Sequence, residues 1–249
     1  MNTHVVITRY REYIDWIQYL PGVVDKIYIY NKGSNSNFFK NYTPDESISQ
    51  KMVVIPMENV GRIDHTLAYH IIQNWDSLPN QLINLPGTIM MSEKKGRYFS
   101  MISKVINKGV INTTYRGFYA PRFRKVGNNF NYSIDEYVAE GVCNRNGNKL
   151  IKSEFKDFQE WKIAVTDSEP IYYIAMRGMF IVSKENIIHV NKQIYINLLL
   201  SLSVGDNIEN GHFAERIWAH LFRQYSLKTI KDSKPQEEVP VLNEIIVEN

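Results

Sequence analysis

A single cysteine, Cys143, stands in this chain of 249 residues. That excludes an internal disulfide and any zinc site built on cysteines. Long apolar runs are also missing, and none approaches the roughly 18 residues that a membrane span needs. Charge of one sign is scarce: 29 Lys+Arg against 26 Asp+Glu leave +3, too little to argue for nucleic acid as a partner. The chain has no Gly-x-Gly-x-x-Gly and no Gly-x-x-x-x-Gly-Lys-Ser/Thr, so the common glycine-rich phosphate loops are absent. It has no Gly-x-Ser-x-Gly nucleophile elbow and no Asp-x-Asp either. Cys143 has no evident histidine partner nearby and reads as inert.

The rest of the composition is ordinary. Hydrophobic residues make up 44% and charged residues 22%, which argues against wholesale disorder. The length suits one large α/β domain or two small ones. Met1 to Tyr10 shows no basic segment followed by a long apolar one, so it reads as the start of a strand rather than a signal peptide, and a cytoplasmic location is expected. The Asn-x-Ser/Thr triplets at Asn41, Asn112 and Asn131 then read as accidental. The 24 asparagines, with many Lys and Ile, fit an AT-rich genome as well as they fit a function.

Charge is unevenly placed. Residues 94–134 carry nine Lys/Arg (Lys94, Lys95, Arg97, Lys104, Lys108, Arg116, Arg122, Arg124 and Lys125) and no Asp or Glu. The segment 231–249 holds two Lys against five acids and reads as an acidic tail behind one domain over 1–230.

Periodicity gives the order of elements. Strands are expected at Val5–Thr8, Lys26–Tyr30, Met52–Pro56, Leu82–Gly87, Tyr172–Met176 and Met179–Val182. Helices are expected over Ile14–Leu20, Ile63–Trp75, 93–107, Lys192–Leu202 and His212–Tyr225. Residues 34–50 read as a loop or short helix, and 109–150 resist assignment. The alternation argues an α/β fold with a mostly parallel sheet. In such sheets ligands sit at the carboxyl ends of the strands. Here those ends are Thr8-Arg9-Tyr10, Asn31-Lys32 and Pro56 to Arg62.

Four constellations carry chemistry. Thr8, Arg9 and Tyr10 offer a hydroxyl, a guanidinium and a ring, which suit a nucleotide or an ordinary solvated strand end. Asn59-Val-Gly61-Arg62-Ile-Asp64-His65 offers a close backbone approach and a helix start with charged groups at its mouth, or a simple capped helix. The block 94–134 suits a diphosphate, an acidic acceptor, nucleic acid or a solvated basic face. Asp206, Glu209, His212 and Glu215 supply carboxylates at a loop-to-helix junction, suited to a general base or to capping. His212 and Glu215 share a helix face, but two ligands without a third make a poor metal site.

Several segments together resemble a family of small glycosyltransferase-like proteins found in fungi, algae, bacteria and large DNA viruses. They are Val6-Ile-Thr-Arg-Tyr10, Ile29-Tyr-Asn-Lys-Gly33, Pro56-x-x-Asn59-Val-Gly-Arg62, Gly178-Met-Phe-Ile-Val-Ser-Lys-Glu-Asn186 and Gly211-His-Phe-Ala-Glu-Arg-Ile-Trp218, in order over residues 4–223. The resemblance implies a GT-A-like nucleotide-sugar fold that moves a sugar from a UDP- or GDP-linked donor to a hydroxyl of a glycan or glycoprotein. It implies donor contacts from Thr8, Arg9, Tyr10, Asn31, Lys32, Asn59, Gly61, Arg62, Asp64 and His65, and an acceptor side at Arg177 and Gly178. The base would be Glu215, Glu209 or Asp206 in that order, with His212 beside them. Such enzymes usually carry Asp-x-Asp at the end of the fourth strand, where this chain reads Ile83-Asn-Leu-Pro-Gly87. Metal-independent transfer is therefore expected, with Lys94, Lys95 and Arg97 neutralising the leaving diphosphate and Mn or Mg not required. The alternative is a non-catalytic module that grips nucleic acid or an anionic polymer through 94–134. A methyltransferase is a weaker reading, because Arg9-Tyr10 supplies no glycine-rich first turn.

Overall fold

The computed structural model describes residues 2–90, 99–100, 115–119, 131–134, 147–171, 174–231 and 246–247. One sheet runs through it. β1 (Thr3–Arg9), β2 (Lys26–Asn31), β3 (Met52–Pro56), β4 (Gln81–Pro86), β5 (Tyr115–Tyr119), β6 (Ala175–Ser183) and β7 (Ile246–Val247) lie side by side in the order β3-β2-β1-β4-β6-β5-β7. Strands β1 to β4 are mutually parallel, and β6 alone runs against its neighbours β4 and β5. The expected mostly parallel α/β sheet is therefore present. β7 falls inside the acidic tail and pairs with Phe118 and Tyr119 of β5.

Period-two alternation divides the strands between two cores. Val6, Tyr28, Tyr30, Leu82, Phe180 and Val182 face the helical layer, where they meet Leu67, Ile71, Trp161, Phe213 and Trp218. Val5, Ile7, Ile27, Ile29, Ile83 and Leu85 face the other way onto Ile14, Trp16, Ile17 and Leu20. The buried strands are Val/Ile/Leu-rich on both faces, as a covered parallel sheet requires. β3 lies at one edge of the sheet and leaves Val53 and Val54 exposed.

The helices whose full extent lies among the described residues are α1 (Glu46–Ser49), α2 (Arg62–Gln73), α3 (Phe158–Val165), α4 (Lys184–His189), α5 (Lys192–Ser201) and α6 (Glu209–Lys231). Four expectations change. Ile14–Leu20 is not an α-helix but a 3-10 turn over Asp15–Tyr19, since Pro21 holds Leu20 in an extended conformation and leaves too few residues for α turns. The two strands expected around Arg177-Gly178 are one, β6, because Gly178 takes φ +58 and bends the strand without ending it. α6 begins earlier than His212 and continues to Lys231, and α2 stops at Gln73 before a 3-10 turn at Trp75–Ser77. α3 and α4 were not anticipated. Asp157 caps the first through the Glu160 N–H, and Ser183 caps the second through the Asn186 N–H. The helix expected over 93–107 and the unassigned 109–150 lie largely outside the described residues. Among the described residues no helix is long and apolar enough to cross a membrane.

Candidate functional site

A cleft of about 770 Å³ opens at the carboxyl ends of β1 and β3. Tyr10 and Arg11 follow β1, and Glu58, Asn59 and Val60 follow β3. The opposite wall is Asn148, Lys149 and Ile151 with Ser203, Val204, Gly205 and Asp206. That volume suits a small-molecule ligand.

The expected donor residues divide into three groups. Arg9, Asn31 and Lys32 are scaffold. The Arg9 side chain is wholly buried. It donates from Nε to the Glu12 carbonyl at 2.7 Å, from Nη1 to Asn31 Oδ1 and the Asn35 carbonyl at 2.6 Å, and from Nη2 to the Asn37 carbonyl at 2.8 Å. Its guanidinium also lies 4.6 Å over the Phe38 ring. This arginine folds the loop after β2 and presents no charge to the cleft. Asn31 turns inward, accepting from Arg9 and donating to the Gly33 carbonyl at 2.9 Å. Lys32 is buried, and its Nζ donates to the carbonyls of Val60 and Arg62, the latter at 2.8 Å. Burial brings its ammonium down to about 7, against the pull of Asp64 and Glu58. Lys32 thus ties the turn after β3 to the end of β2. Thr8 is half-buried, and among the described residues its hydroxyl has no hydrogen-bond partner.

Tyr10 and Asn59 reach the cleft. The backbone N–H groups of Tyr10 and Arg11 donate to Glu12 Oε2 at 2.7 and 3.1 Å, which fixes the end of β1. The Arg11 guanidinium lies 4.8 Å over the Tyr10 ring. Asn59 Nδ2 donates to Asp206 Oδ2 at 3.2 Å.

Gly61 and Arg62 form the third group with Asp64 and His65. Both Gly61 and Arg62 are left-handed, at φ +56 and +53. The Gly61 N–H donates to the Gly205 carbonyl at 2.7 Å. Arg62 Nη2 donates to Asn207 Oδ1 at 3.0 Å, beside the Asn59–Asp206 bond. Asp64 is buried in the first turn of α2 and accepts from Trp218 Nε1 at 2.6 Å. Burial raises its carboxyl to about 7, and nearby Glu215 adds to the rise. His65 is buried, its Nδ1 has no hydrogen-bond partner among the described residues, and burial lowers it to about 4.

The base candidates separate. Asp206 lines the cleft, and its carboxylate accepts from Asn148 Nδ2 at 3.0 and 3.1 Å as well as from Asn59. Glu209 does not line it; its Oε2 takes the Ser153 N–H at 3.0 Å and its Oε1 lies 3.5 Å from Lys152 Nζ. Glu215 does not line it either, and pairs with Arg216 Nη1 at 3.6 Å. Arg216 in turn donates to the His212 carbonyl and lies 3.5 Å over the Tyr132 ring. Burial, with Arg62 and Arg216 near, lowers His212 to about 3. Geometry therefore puts Asp206 ahead of Glu215, the reverse of the order the resemblance implies.

Lys94, Lys95 and Arg97 lie outside the described residues, as do most other charges of 94–134. Arg177 sits on β6 with its side chain outside the description, and Gly178 packs against Ile63, where a Cβ would come within 2.9 Å of Ile63 Cγ2. Asn84, in the segment where the resemblance would put an Asp-x-Asp, donates from Nδ2 to the Gly178 carbonyl at 2.7 Å. Among the described residues no group of three or more His, Cys, Asp or Glu could hold a metal ion.

Sequence reasoning missed Arg11, Glu58, Asn148, Lys149, Ile151 and Asn207. The segment 147–151 reaches the cleft only through tertiary pairing, with the Ile151 N–H on the Asn207 carbonyl at 2.8 Å and the Glu209 N–H on the Ile151 carbonyl at 2.9 Å. No local pattern announces that pairing. No family model matches this chain, and no curated protein matches it.

Proposed function

We propose that the protein is a glycosyltransferase of GT-A-like architecture whose nucleotide-sugar donor lies in the cleft between Tyr10–Arg11 and Ser203–Asp206. The observation that carries this reading is the placement of the cleft. It stands at the carboxyl ends of β1 and β3, in a half-sheet that runs outward from β1 in both directions. Open α/β sheets take nucleotides at such an edge.

The lining suits that ligand. The Tyr10 ring offers a flat surface for a base, and the amides of Asn59 and Asn148 with the Asp206 carboxylate suit hydroxyl groups. Arg11 and Lys149 supply exposed positive charge at the mouth. Transfer needs a base on the acceptor hydroxyl and stabilisation of the departing diphosphate. Asp206 is our base, since it is the candidate carboxylate in the cleft wall. The expectation that cationic side chains replace a divalent ion at the leaving group stays part of this proposal.

A thermal-shift screen tests it. A ligand that binds only the folded chain raises the melting temperature by mass action, by an amount worth about 2.7 kcal/mol at a hundredfold excess over Kd. UDP- or GDP-sugars should stabilise the protein equally in EDTA and in Mn²⁺. Stabilisation seen only with Mn²⁺ would remove the metal-independent mechanism. No shift with any nucleotide sugar would remove the donor reading.

A further inference from the structure

Asp206 stands on the loop between α5 and α6 and is half-buried. Two side-chain amides from different segments of the cleft wall converge on its carboxylate. Asn59, from the turn between β3 and α2, donates from Nδ2 to Oδ2 at 3.2 Å. Asn148 donates from Nδ2 to Oδ1 at 3.0 Å and to Oδ2 at 3.1 Å. All three residues line the cleft.

We propose that Asn59 and Asn148 are positioning residues for Asp206, holding its carboxylate in one orientation at the cleft wall so that it takes the proton of the attacking hydroxyl. This rests on the reading of Asp206 as the base of a nucleotide-sugar transferase.

Three observations carry it. The first is that the amides are not needed to join the walls. Backbone bonds already do so, with the Gly61 N–H on the Gly205 carbonyl at 2.7 Å and the Ile151 N–H on the Asn207 carbonyl at 2.8 Å. What the amides add is the orientation of one side chain. An aspartate on a loop otherwise changes rotamer, whereas a general base must sit within roughly 2.6–3.2 Å of the group it deprotonates.

The second is that each amide is held from behind by a buried polar side chain. Lys32 is buried and donates from Nζ to the carbonyls of Val60 and Arg62, in the turn that carries Asn59. Asn207 is wholly buried and donates from Nδ2 to the Asn148 carbonyl at 2.9 Å. Burying such groups is costly unless their bonds are made, and here the bonds go to the segments that present the two amides. A supporting layer of this kind fixes a reactive group in place.

The third is the kind of partner. Neither amide carries a charge, so neither cancels that of the carboxylate. Glu209 and Glu215, by contrast, lie 3.5 Å from Lys152 Nζ and 3.6 Å from Arg216 Nη1. A cation so close makes a carboxylate a weaker base.

In the step concerned, the hydroxyl oxygen bonds to the anomeric carbon and the bond from that carbon to the phosphate oxygen breaks. The nucleoside diphosphate leaves with the electron pair, and the hydroxyl proton passes to Asp206. Water serves as the hydroxyl when no acceptor is present, so hydrolysis of the donor reports the base directly.

The test is release of UDP or GDP from UDP-glucose and GDP-mannose by the full chain, with calorimetric binding of UDP and GDP beside it. Asn59→Ala and Asn148→Ala should each lower kcat roughly 10- to 100-fold, the cost of a misplaced reactive group. The Kd of the diphosphate should change by less than about threefold. In an Asp206→Asn background neither variant should lower the residual rate further, since both act through the carboxylate. A merely structural role would instead lower the melting temperature, weaken diphosphate binding and add to the loss in that background. Unchanged kcat in both variants, or losses that add to that of Asp206→Asn, overturns this inference and leaves the donor reading standing. Binding of UDP or GDP without any release by the wild-type chain overturns Asp206 as base and this inference with it, again sparing the donor reading. No binding of either diphosphate at millimolar concentration overturns both.

Discussion

Gly61→Ala lowers the stability of the fold by about 3 kcal/mol or more, among the largest effects a single methyl group can have. Two costs combine. The backbone at Gly61 is left-handed, φ +56, which costs an L-residue roughly 1–2 kcal/mol. The added Cβ would also strike the Leu202 carbonyl oxygen and come within 2.6 Å of His65 Cβ and 2.8 Å of Leu202 Cβ. These neighbours are a backbone oxygen and side-chain carbons at the root of α2 and the end of α5, so neither can swing aside. Relief requires α2 to move away from α5, which breaks the Gly61–Gly205 bond across the cleft. Gly147→Ala is the control, since it shares a positive φ of +77 but has nothing within 4 Å of the new methyl. It should lose only about 1 kcal/mol. Chemical denaturation of the two variants measures the difference. Equal losses would show that packing around Gly61 is not tight.

Acid weakens the protein well above the ordinary carboxylate range. His4, His65, His70 and His212 are all buried and neutral, with burial lowering them from 6.5 to about 4, 4, 3 and 3. His4 packs against Tyr28 with the rings tilted at 51°, and His70 Nδ1 meets the Tyr30 hydroxyl at 2.8 Å, so the imidazoles serve as core rings. A histidine whose folded value lies below its unfolded value stabilises fully above pH 6.5 and loses that stability as pH falls toward the folded value. At pH 5 each costs roughly 2 kcal/mol by linkage. Asp64 acts in the opposite sense. Its folded value, about 7, lies above the ordinary 3.8, so its contribution grows as pH falls from 7 and offsets about one histidine. The denaturation midpoint should therefore fall steeply between pH 7 and 5, a net loss of several kcal/mol. His4→Asn should flatten that slope by about one proton. A midpoint constant from pH 7 to 5 would mean that these rings are hydrated or partnered in solution.

The parts of the fold written in local pattern were legible. β1 to β4 are runs of β-branched residues bounded by turn residues, and α2 and α5 carry apolar spacing with clear stops. The cleft edge follows from strand ends alone, and Tyr10 and Asn59 of those ends line it. The roles of buried polar residues were not legible. Arg9 and Lys32 look like ligand contacts in sequence because they are charged and follow strands. In three dimensions their hydrogen bonds are consumed by carbonyls of loops 26 to 30 residues away. Asn207 and Asn148 carry no spacing signal, since what pairs them is a tertiary contact across 59 residues. Glu215 drew attention through its motif, yet its position on α6 turns it to Arg216 and Asp64 rather than to the cleft.

The central claim is that a phosphorylated sugar donor seats between the turn after β3 and the turn before α6. Amide hydrogen exchange of the full chain, with and without a stabilising nucleotide sugar, tests it most directly. Slowed exchange should concentrate in 10–11, 58–62 and 203–208, with the sheet interior unchanged. Protection confined to other segments, with these three exchanging as fast as in the free protein, would contradict the account.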